Sequence, residues 1–117
     1  MKRLVLSALA LSVLAMPAMA ADSATYNVAG TNLDGSKYAG TATITLTSDS
    51  TCVIEWTTGG STSQGICMKY ENAFAAGYTL GDKVGLVVYE ILNDGSLHGM
   101  WTIAGSNGSG TEVLTPQ

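Results

Sequence analysis

From about residue 25 onward, the chain consists of short runs rich in Thr, Val, Ile, Tyr and Trp. Clusters of Gly, Asn, Asp and Ser separate these runs at intervals of about 8 to 12 residues, a spacing typical of all-β domains. No stretch of this part has the apolar repeat of about 3.6 residues that an amphipathic helix needs. The pattern therefore predicts an all-β fold. Eight strands are expected, at residues 25–29, 38–47, 51–58, 63–70, 73–79, 84–92, 97–104 and 110–114.

Most of the predicted strands are joined by short turns that contain Asp-Gly or Gly-Gly. Glycine supplies the positive φ angles that tight hairpins require, so successive strands should pair as a meander. A meander of eight strands leaves two unpaired edges unless its first and last strands meet. We therefore expect a small antiparallel up-and-down barrel, with an open two-sheet β-sandwich as the alternative. The interior of such a barrel is either filled by side chains or wide enough for one small ligand.

The hairpin around Gly59 and Gly60 predicts its own register. If these two residues form the turn, positions whose numbers sum to 119 lie opposite each other. The resulting pairs on one face are Cys52 with Cys67, Ile54 with Gly65, and Trp56 with Ser63. Large side chains opposite small ones suit the curved interior of a barrel. Trp56 and the second tryptophan, Trp101, are expected to be aromatic residues of the structural core.

The same register brings the two cysteines together. Directly opposite residues on antiparallel strands have Cα atoms roughly 4.5 to 5.5 Å apart, within the disulfide range of about 4.4 to 6.8 Å. We therefore predict an intrachain disulfide between Cys52 and Cys67. The alternative is two free thiols that form a redox or metal site, but the chain lacks the close Cys-x-x-Cys spacing of such sites.

The N-terminal segment has the graded pattern of a secretory signal. Lys2 and Arg3 precede an apolar run over residues 4–16, and Pro17 stands just before the small-residue sequence Ala-Met-Ala at residues 18–20. The apolar run of about 13 residues is shorter than the roughly 20 that a membrane-spanning helix needs. We predict a cleavable signal peptide at residues 1–20 and a single barrel domain at residues 21–117. The mature protein should be periplasmic or secreted, and not embedded in a membrane.

Without the signal peptide, the chain is distinctly acidic. Three lysines, Lys37, Lys69 and Lys83, remain against nine Asp and Glu residues, so the formal charge is 3 minus 9, or -6. Proteins that bind nucleic acid need clustered Lys and Arg to displace counterions from phosphates. We therefore expect no nucleic-acid partner.

Residues for catalysis or metal binding are sparse. His98 is the only histidine, and the chain has no Gly-x-Ser-x-Gly element. With the cysteines paired, too few ligands remain for a zinc site, and no cofactor is expected. Glu55, Glu90 and Glu112 could supply the carboxylate pair of a glycosidase, but no spacing rule brings two of them together. We expect these three glutamates to face outward from the strands, and we expect no enzyme activity.

Four segments of the chain resemble a family of small exported proteins from alphaproteobacteria. The segments are residues 26–36 (YNVAGTNLDGS), 56–60 (WTTGG), 99–102 (GMWT) and 110–112 (GTE). The resemblance covers nearly the whole mature chain and implies an exported β-protein of unknown function. Some members are labelled fibronectin-binding by automatic transfer, and the family has no established functional residues. The cysteine pair is not part of the family pattern, so the disulfide rests on strand pairing alone.

These features predict an exported, noncatalytic binding module of unknown ligand, with an adhesive or matrix-binding role and an extracellular protein as partner. The first alternative is a carrier that holds a small molecule inside the barrel. The second is a periplasmic hydrolase or inhibitor with an unrecognised site. A cavity of several hundred cubic ångströms would favour the carrier, and a filled core would favour surface binding.

Overall fold

The computed structural model describes residues 22–117, so the predicted signal peptide at residues 1–20 lies outside the described part. Residues 22–117 form eight β-strands and no α-helix. The strands are β1 (Ser23–Thr31), β2 (Lys37–Leu46), β3 (Thr51–Thr58), β4 (Ser61–Tyr70), β5 (Ala73–Leu80), β6 (Lys83–Ile91), β7 (Leu97–Ile103) and β8 (Gly110–Pro116). None of these residues belongs to a helix long and apolar enough to cross a membrane.

The eight strands form one closed antiparallel barrel in chain order. Pairing of β1 with β8, in which Asn27 lies opposite Thr115, closes the barrel. The barrel prediction is therefore confirmed, and the open sandwich is wrong. The largest difference in strand boundaries is in β1, which begins two residues earlier and ends two residues later than expected. It is longer because it pairs along its whole length with β2, from Ser23 to Thr31.

The hairpin between β3 and β4 has the register predicted from its turn. Gly59 and Gly60 both have positive φ, 55° and 82°, as the two central residues of a type I′ turn require. Cys52 lies opposite Cys67, and Trp56 lies opposite Ser63. The sequence of the turn thus determines which residues of this hairpin lie opposite each other.

Alternate residues of every strand point into the barrel and form its core. The least exposed large side chains are those of Tyr89 and Leu114. Burial of one large apolar side chain contributes about 1.5 to 3 kcal/mol, so this cluster is the main source of stability. The buried apolar residues are Val28, Ala42, Ile44, Cys52, Ile54, Trp56, Cys67, Phe74, Ala76, Val87, Tyr89, Leu97 and Leu114.

Two inward-facing glycines allow large rings to lie against the barrel wall. Gly110 is paired with Trp101, and a Cβ atom at Gly110 would lie only 2.5 Å from Trp101 Nε1. Gly30 is paired with Tyr38, whose ring occupies the space that a side chain at residue 30 would need. These glycines therefore set the positions of two aromatic side chains that line the interior.

The turns after β1 and after β6 have the same hydrogen bonds. In the first turn, Asp34 Oδ1 accepts bonds from the backbone N–H and the hydroxyl of Ser36, at 2.9 and 2.7 Å. In the second, Asp94 Oδ1 accepts the same two bonds from Ser96, at 2.9 and 2.6 Å. These bonds lower the pKa of both aspartates below the ordinary value. The two Asp-Gly-Ser sequences thus form the same kind of turn, one at each end of the barrel.

Candidate functional site

Glu112 lies inside the barrel, with only 6 % of its surface exposed. The expectation that it faces outward is wrong. On β8, Gly110, Glu112 and Leu114 alternate with the outward residues Thr111 and Val113, so the glutamate shares the inward face with a core leucine. A charged side chain is seldom so deeply buried unless its charge is stabilised by partners.

Three side chains from three different strands donate hydrogen bonds to the Glu112 carboxylate. Trp56 Nε1 donates to Oε1 at 3.0 Å, and Tyr89 Oη donates to the same oxygen at 2.5 Å. Tyr38 Oη donates to Oε2 at 2.7 Å. Hydrogen bonds to a charged acceptor are among the stronger ones and offset the unfavourable burial of the carboxylate. A carboxylate has about four acceptor positions, so Oε2 keeps one for a further donor.

The tyrosines around Glu112 hold their protons more tightly than a free tyrosine does. Burial, and then the negative charge of Glu112, raise the pKa of Tyr38 and Tyr89 well above the ordinary value. The same two causes, in the same order, raise the pKa of Tyr78 to about 12. All three tyrosines are therefore neutral hydrogen-bond donors at physiological pH.

A cavity of about 250 Å³ lies next to this cluster. It is at the barrel end formed by the turns after β1, β3 and β5, which we call the mouth. Its wall contains two aromatic pairs: Trp56 packs edge-on against Tyr78, and Trp101 packs edge-on against Tyr38, with ring centroids 5.2 and 6.4 Å apart. The residues that line it are Asn32, Tyr38, Trp56, Thr58, Gly59, Ser61, Ser63, Tyr78, Leu80, Val87, Trp101 and Glu112.

The two tryptophans of the cavity wall differ in burial and in the hydrogen bonding of the indole N–H. Trp56 is 4 % exposed, and its N–H is bonded to Glu112. Trp101 is only partly buried and packs against the edge of the core. Its Nε1 is buried, yet it has no hydrogen-bond partner among residues 22–117. Such an unpartnered buried donor destabilises the folded state by about 1 to 3 kcal/mol.

The predicted disulfide is confirmed. Cys52 and Cys67 are bonded across β3 and β4, with Cα atoms 4.9 Å apart, so the alternative of two free thiols is wrong. Both half-cystines point into the barrel, and their exposed fractions are 4 and 5 %. The disulfide is therefore part of the core.

The other residues considered for catalysis lie on the outside of the barrel. Glu55 and Glu90 are exposed, as expected, and His98 is exposed as well. Glu55 accepts a hydrogen bond from Gln64 on the neighbouring strand, at 2.9 Å. In the described part of the chain, no group of three or more His, Cys, Asp or Glu side chains is placed to hold a metal ion.

The outer wall has one apolar side. Its most exposed members are Ile66 on β4 and Leu86 on β6, at 73 and 62 %. We call this surface the apolar strip, and its residues are Val53, Ile66, Met68, Leu86, Val88 and Met100. Single exposed apolar residues are common, but a contiguous group of this kind often marks an interaction site.

The fold and the mouth cavity place the protein in the class of small closed antiparallel barrels with a polar cluster inside. No family model matches the chain, and no curated protein matches it in sequence. Three designed barrels have a similar structure. A redesigned β-barrel, mFAP1, bound to DFHBI, is 20 % identical over 79 % of this chain and 92 % of that chain, with a TM-score of 0.67.

A second redesigned β-barrel is 20 % identical, with a TM-score of 0.69, over 86 % of this chain and 95 % of that chain. A de novo designed fluorescence-activating β-barrel is 11 % identical, with a TM-score of 0.64, over 80 % of this chain and 92 % of that chain. At these identities the likeness establishes the fold alone. The resemblance to exported alphaproteobacterial proteins stays a prediction.

Proposed function

We propose that the protein is an exported, noncatalytic carrier that binds a small molecule in the mouth cavity. One observation carries this proposal: the mouth cavity of about 250 Å³ is lined by four aromatic rings and by the buried carboxylate of Glu112. The free acceptor position on Glu112 Oε2 provides a polar contact for a ligand in this cavity.

The size and lining of the cavity limit the ligand. Its volume of about 250 Å³ is below the roughly 300 to 1,000 Å³ of sites for drug-sized molecules. Four aromatic side chains line it together with several polar ones, so the cavity offers both apolar contacts and hydrogen bonds to a ligand. We therefore expect a ligand about as large as a single ring with one or two substituents.

Fold and compartment agree with this proposal. The redesigned barrel bound to DFHBI shows that a barrel of this fold is compatible with a bound small molecule, although a shared fold does not establish a shared function. The disulfide between Cys52 and Cys67 is typical of an oxidising compartment, and the predicted signal peptide would direct the protein to such a compartment.

Native mass spectrometry of protein secreted through its own signal tests the carrier function. We expect a stoichiometric small-molecule adduct that is much weaker in the Trp101→Ala variant, because alanine removes one aromatic ring from the cavity wall. Met100→Leu is the matched control, because Met100 is the outward neighbour on the same strand. Protein without an adduct, from several growth conditions of its native host, would contradict the proposal.

Surface binding is the second candidate, and the apolar strip favours it. An adhesive or matrix-binding module needs an exposed surface that a partner can cover, and this strip is a contiguous apolar surface on the outer wall. The test is binding to immobilised fibronectin, chosen because of the label carried by the resembling family. The variant Ile66→Ser/Leu86→Ser should lose such binding, whereas Thr41→Ser, at an exposed position of β2 outside the apolar strip, should keep it.

A further inference from the structure

Among residues 22–117, the buried carboxylate of Glu112 has no positively charged partner. Its three hydrogen-bond donors are the neutral side chains of two tyrosines and a tryptophan. The cationic or titratable basic side chains of the described part are all exposed, and none of them lines the cavity; they are Lys37, Lys69, Lys83 and His98. A buried charge without a counter-charge is unfavourable, so a cation that entered the cavity would gain a strong electrostatic interaction.

The cavity wall is also suited to a cation. The faces of Trp and Tyr rings attract a cation within about 6 Å of the ring centroid. Four such rings, those of Tyr38, Trp56, Tyr78 and Trp101, line one cavity together with Glu112. Burial, and then the negative charge of Glu112, raise the pKa of Tyr78, whose hydroxyl donates to the Thr102 carbonyl oxygen and not to Glu112.

The net negative charge of the whole barrel also favours a cation. Residues 22–117 contain three Lys or Arg and nine Asp or Glu residues, which gives 3 minus 9, or -6. A protein with this net charge attracts cations toward its surface and raises their association rate.

We propose that the mouth cavity selects a small organic cation, a protonated amine or an amidinium group on a compact apolar body. One N–H of the cation donates to Glu112 Oε2, which has a free acceptor position, and the apolar body packs between Trp56, Tyr78 and Trp101. This inference rests on the proposed carrier function and specifies the chemical class of its ligand.

Three probes of nearly the same shape test this inference on the intact mature protein. Benzamidine is a cation at neutral pH, benzamide is neutral, and benzoate is an anion. The readout is the pair of indole N–H signals in the two-dimensional NMR spectrum of ¹⁵N-labelled protein, because the chain has two tryptophans and both line the cavity. We expect benzamidine to shift both signals and to bind at least about tenfold more tightly than benzamide, a difference of roughly 1.4 kcal/mol.

Charge removal is the second arm of the experiment. In Glu112→Gln the preference for benzamidine over benzamide should fall to within about twofold. Glu90→Gln is the matched control, because Glu90 is exposed on β6 and its replacement changes the net charge equally. The control should keep the preference, which separates an effect of the cavity from an effect of overall charge. If Glu112→Gln does not fold, the three-probe comparison on the unchanged protein still decides whether the cavity prefers a cation.

The outcomes separate this inference from the carrier function. Equal binding of the three probes, or preference for benzoate, would overturn the cation selectivity and leave the cavity as a binding site. Absence of shifts with all three probes would also overturn the selectivity, whereas the carrier function is then judged by the adduct in native mass spectrometry. Binding of benzamidine that persists unchanged in a folded Glu112→Gln variant would show that another group recognises the cation.

Discussion

The indole N–H of Trp56 on β3 donates a hydrogen bond to Glu112 Oε1 on β8, at 3.0 Å. These strands are not neighbours, because β1 and β2 lie between them in the barrel. Tyr38 and Tyr89, from β2 and β6, donate to the same carboxylate. One acidic side chain thus links four strands through the interior, and this cross-link lies beside the cavity that we propose as the ligand site.

Glu112→Leu should destabilise the barrel strongly. The substitution leaves the buried N–H of Trp56 and the buried O–H of Tyr89 without their acceptor, and each unsatisfied buried donor lowers the free energy of unfolding by about 1 to 3 kcal/mol. We expect the free energy of unfolding, measured by urea titration, to fall by about 3 kcal/mol or more. Replacement of the exposed Glu90 by Gln should change it by less than about 0.5 kcal/mol. Equal stability of the two variants would mean that the carboxylate does not support the fold.

Most of the fold could be predicted from the sequence because its turns are specific. The Gly59-Gly60 turn fixes the register of its hairpin, and this register places Cys52 opposite Cys67. Strand number and closure follow from regular turn spacing and from the tendency of a meander to remove its edges.

The position of Glu112 could not be predicted in the same way. Neither face of β8 is apolar throughout: Glu112 and Leu114 share one face, and Thr111 and Val113 share the other. The inward face of β8 is determined by its pairing with β1 and β7. Because β1 lies far from β8 in the sequence, the local pattern does not show this pairing. A charged residue two positions from a core leucine is a weak signal that the glutamate is buried.

The cavity depends on the packing of side chains from several strands, which strand periodicity does not describe. Trp101 was expected in the core, yet the structure places it partly buried at the cavity wall. Its ring lies over Gly110 because that residue has no side chain. Pairs of this kind, an aromatic residue opposite an inward glycine, are the sequence signal that could have located the site.

Loss of the disulfide should lower stability without a change of fold. Cys52 and Cys67 are separated by 15 residues, and for a loop of this length the chain-entropy model gives about 3 kcal/mol. We expect the Cys52→Ala/Cys67→Ala variant to lose about this much free energy of unfolding while its circular dichroism spectrum stays that of a β-protein. Intact mass after alkylation of the unreduced, denatured protein provides the check on bond formation. Two alkylated thiols would contradict the assignment.

Gly110→Ala should disturb Trp101 specifically. A Cβ atom at residue 110 would lie 2.5 Å from Trp101 Nε1 and would also press on the carbonyl oxygen of Thr31, which belongs to the backbone. Overpacking of this kind destabilises by about 1 to 3 kcal/mol. The NMR signal of the Trp101 indole should therefore move much more than that of Trp56, and unfolding should begin at a lower urea concentration.

Gly77→Ala is the matched control for this substitution. A Cβ atom at residue 77 meets only Leu86 Cδ2, at 3.9 Å, which is an ordinary van der Waals contact. Removal of glycine from a strand also reduces the conformational freedom of the unfolded chain. We expect Gly77→Ala to be neutral or slightly stabilising, and similar losses in both variants would argue against a specific role for Gly110.

Alkaline pH should weaken the barrel before it ionises the buried tyrosines. In an unfolded chain tyrosine has a pKa of about 10, whereas burial and the charge of Glu112 raise the pKa of Tyr78 to about 12 and also raise that of Tyr38 and Tyr89. Below about pH 10 both states keep these protons, so the full stability is present. Between about pH 10 and 12 the unfolded state loses protons that the folded state retains, so the free energy of unfolding must fall.

Urea titrations across this range should show the decline, and Tyr78→Phe should make it shallower because one such group is removed. A stability that is constant across the range, or tyrosinate absorbance of the folded protein that rises fully near pH 10, would refute the proposed environment of these tyrosines.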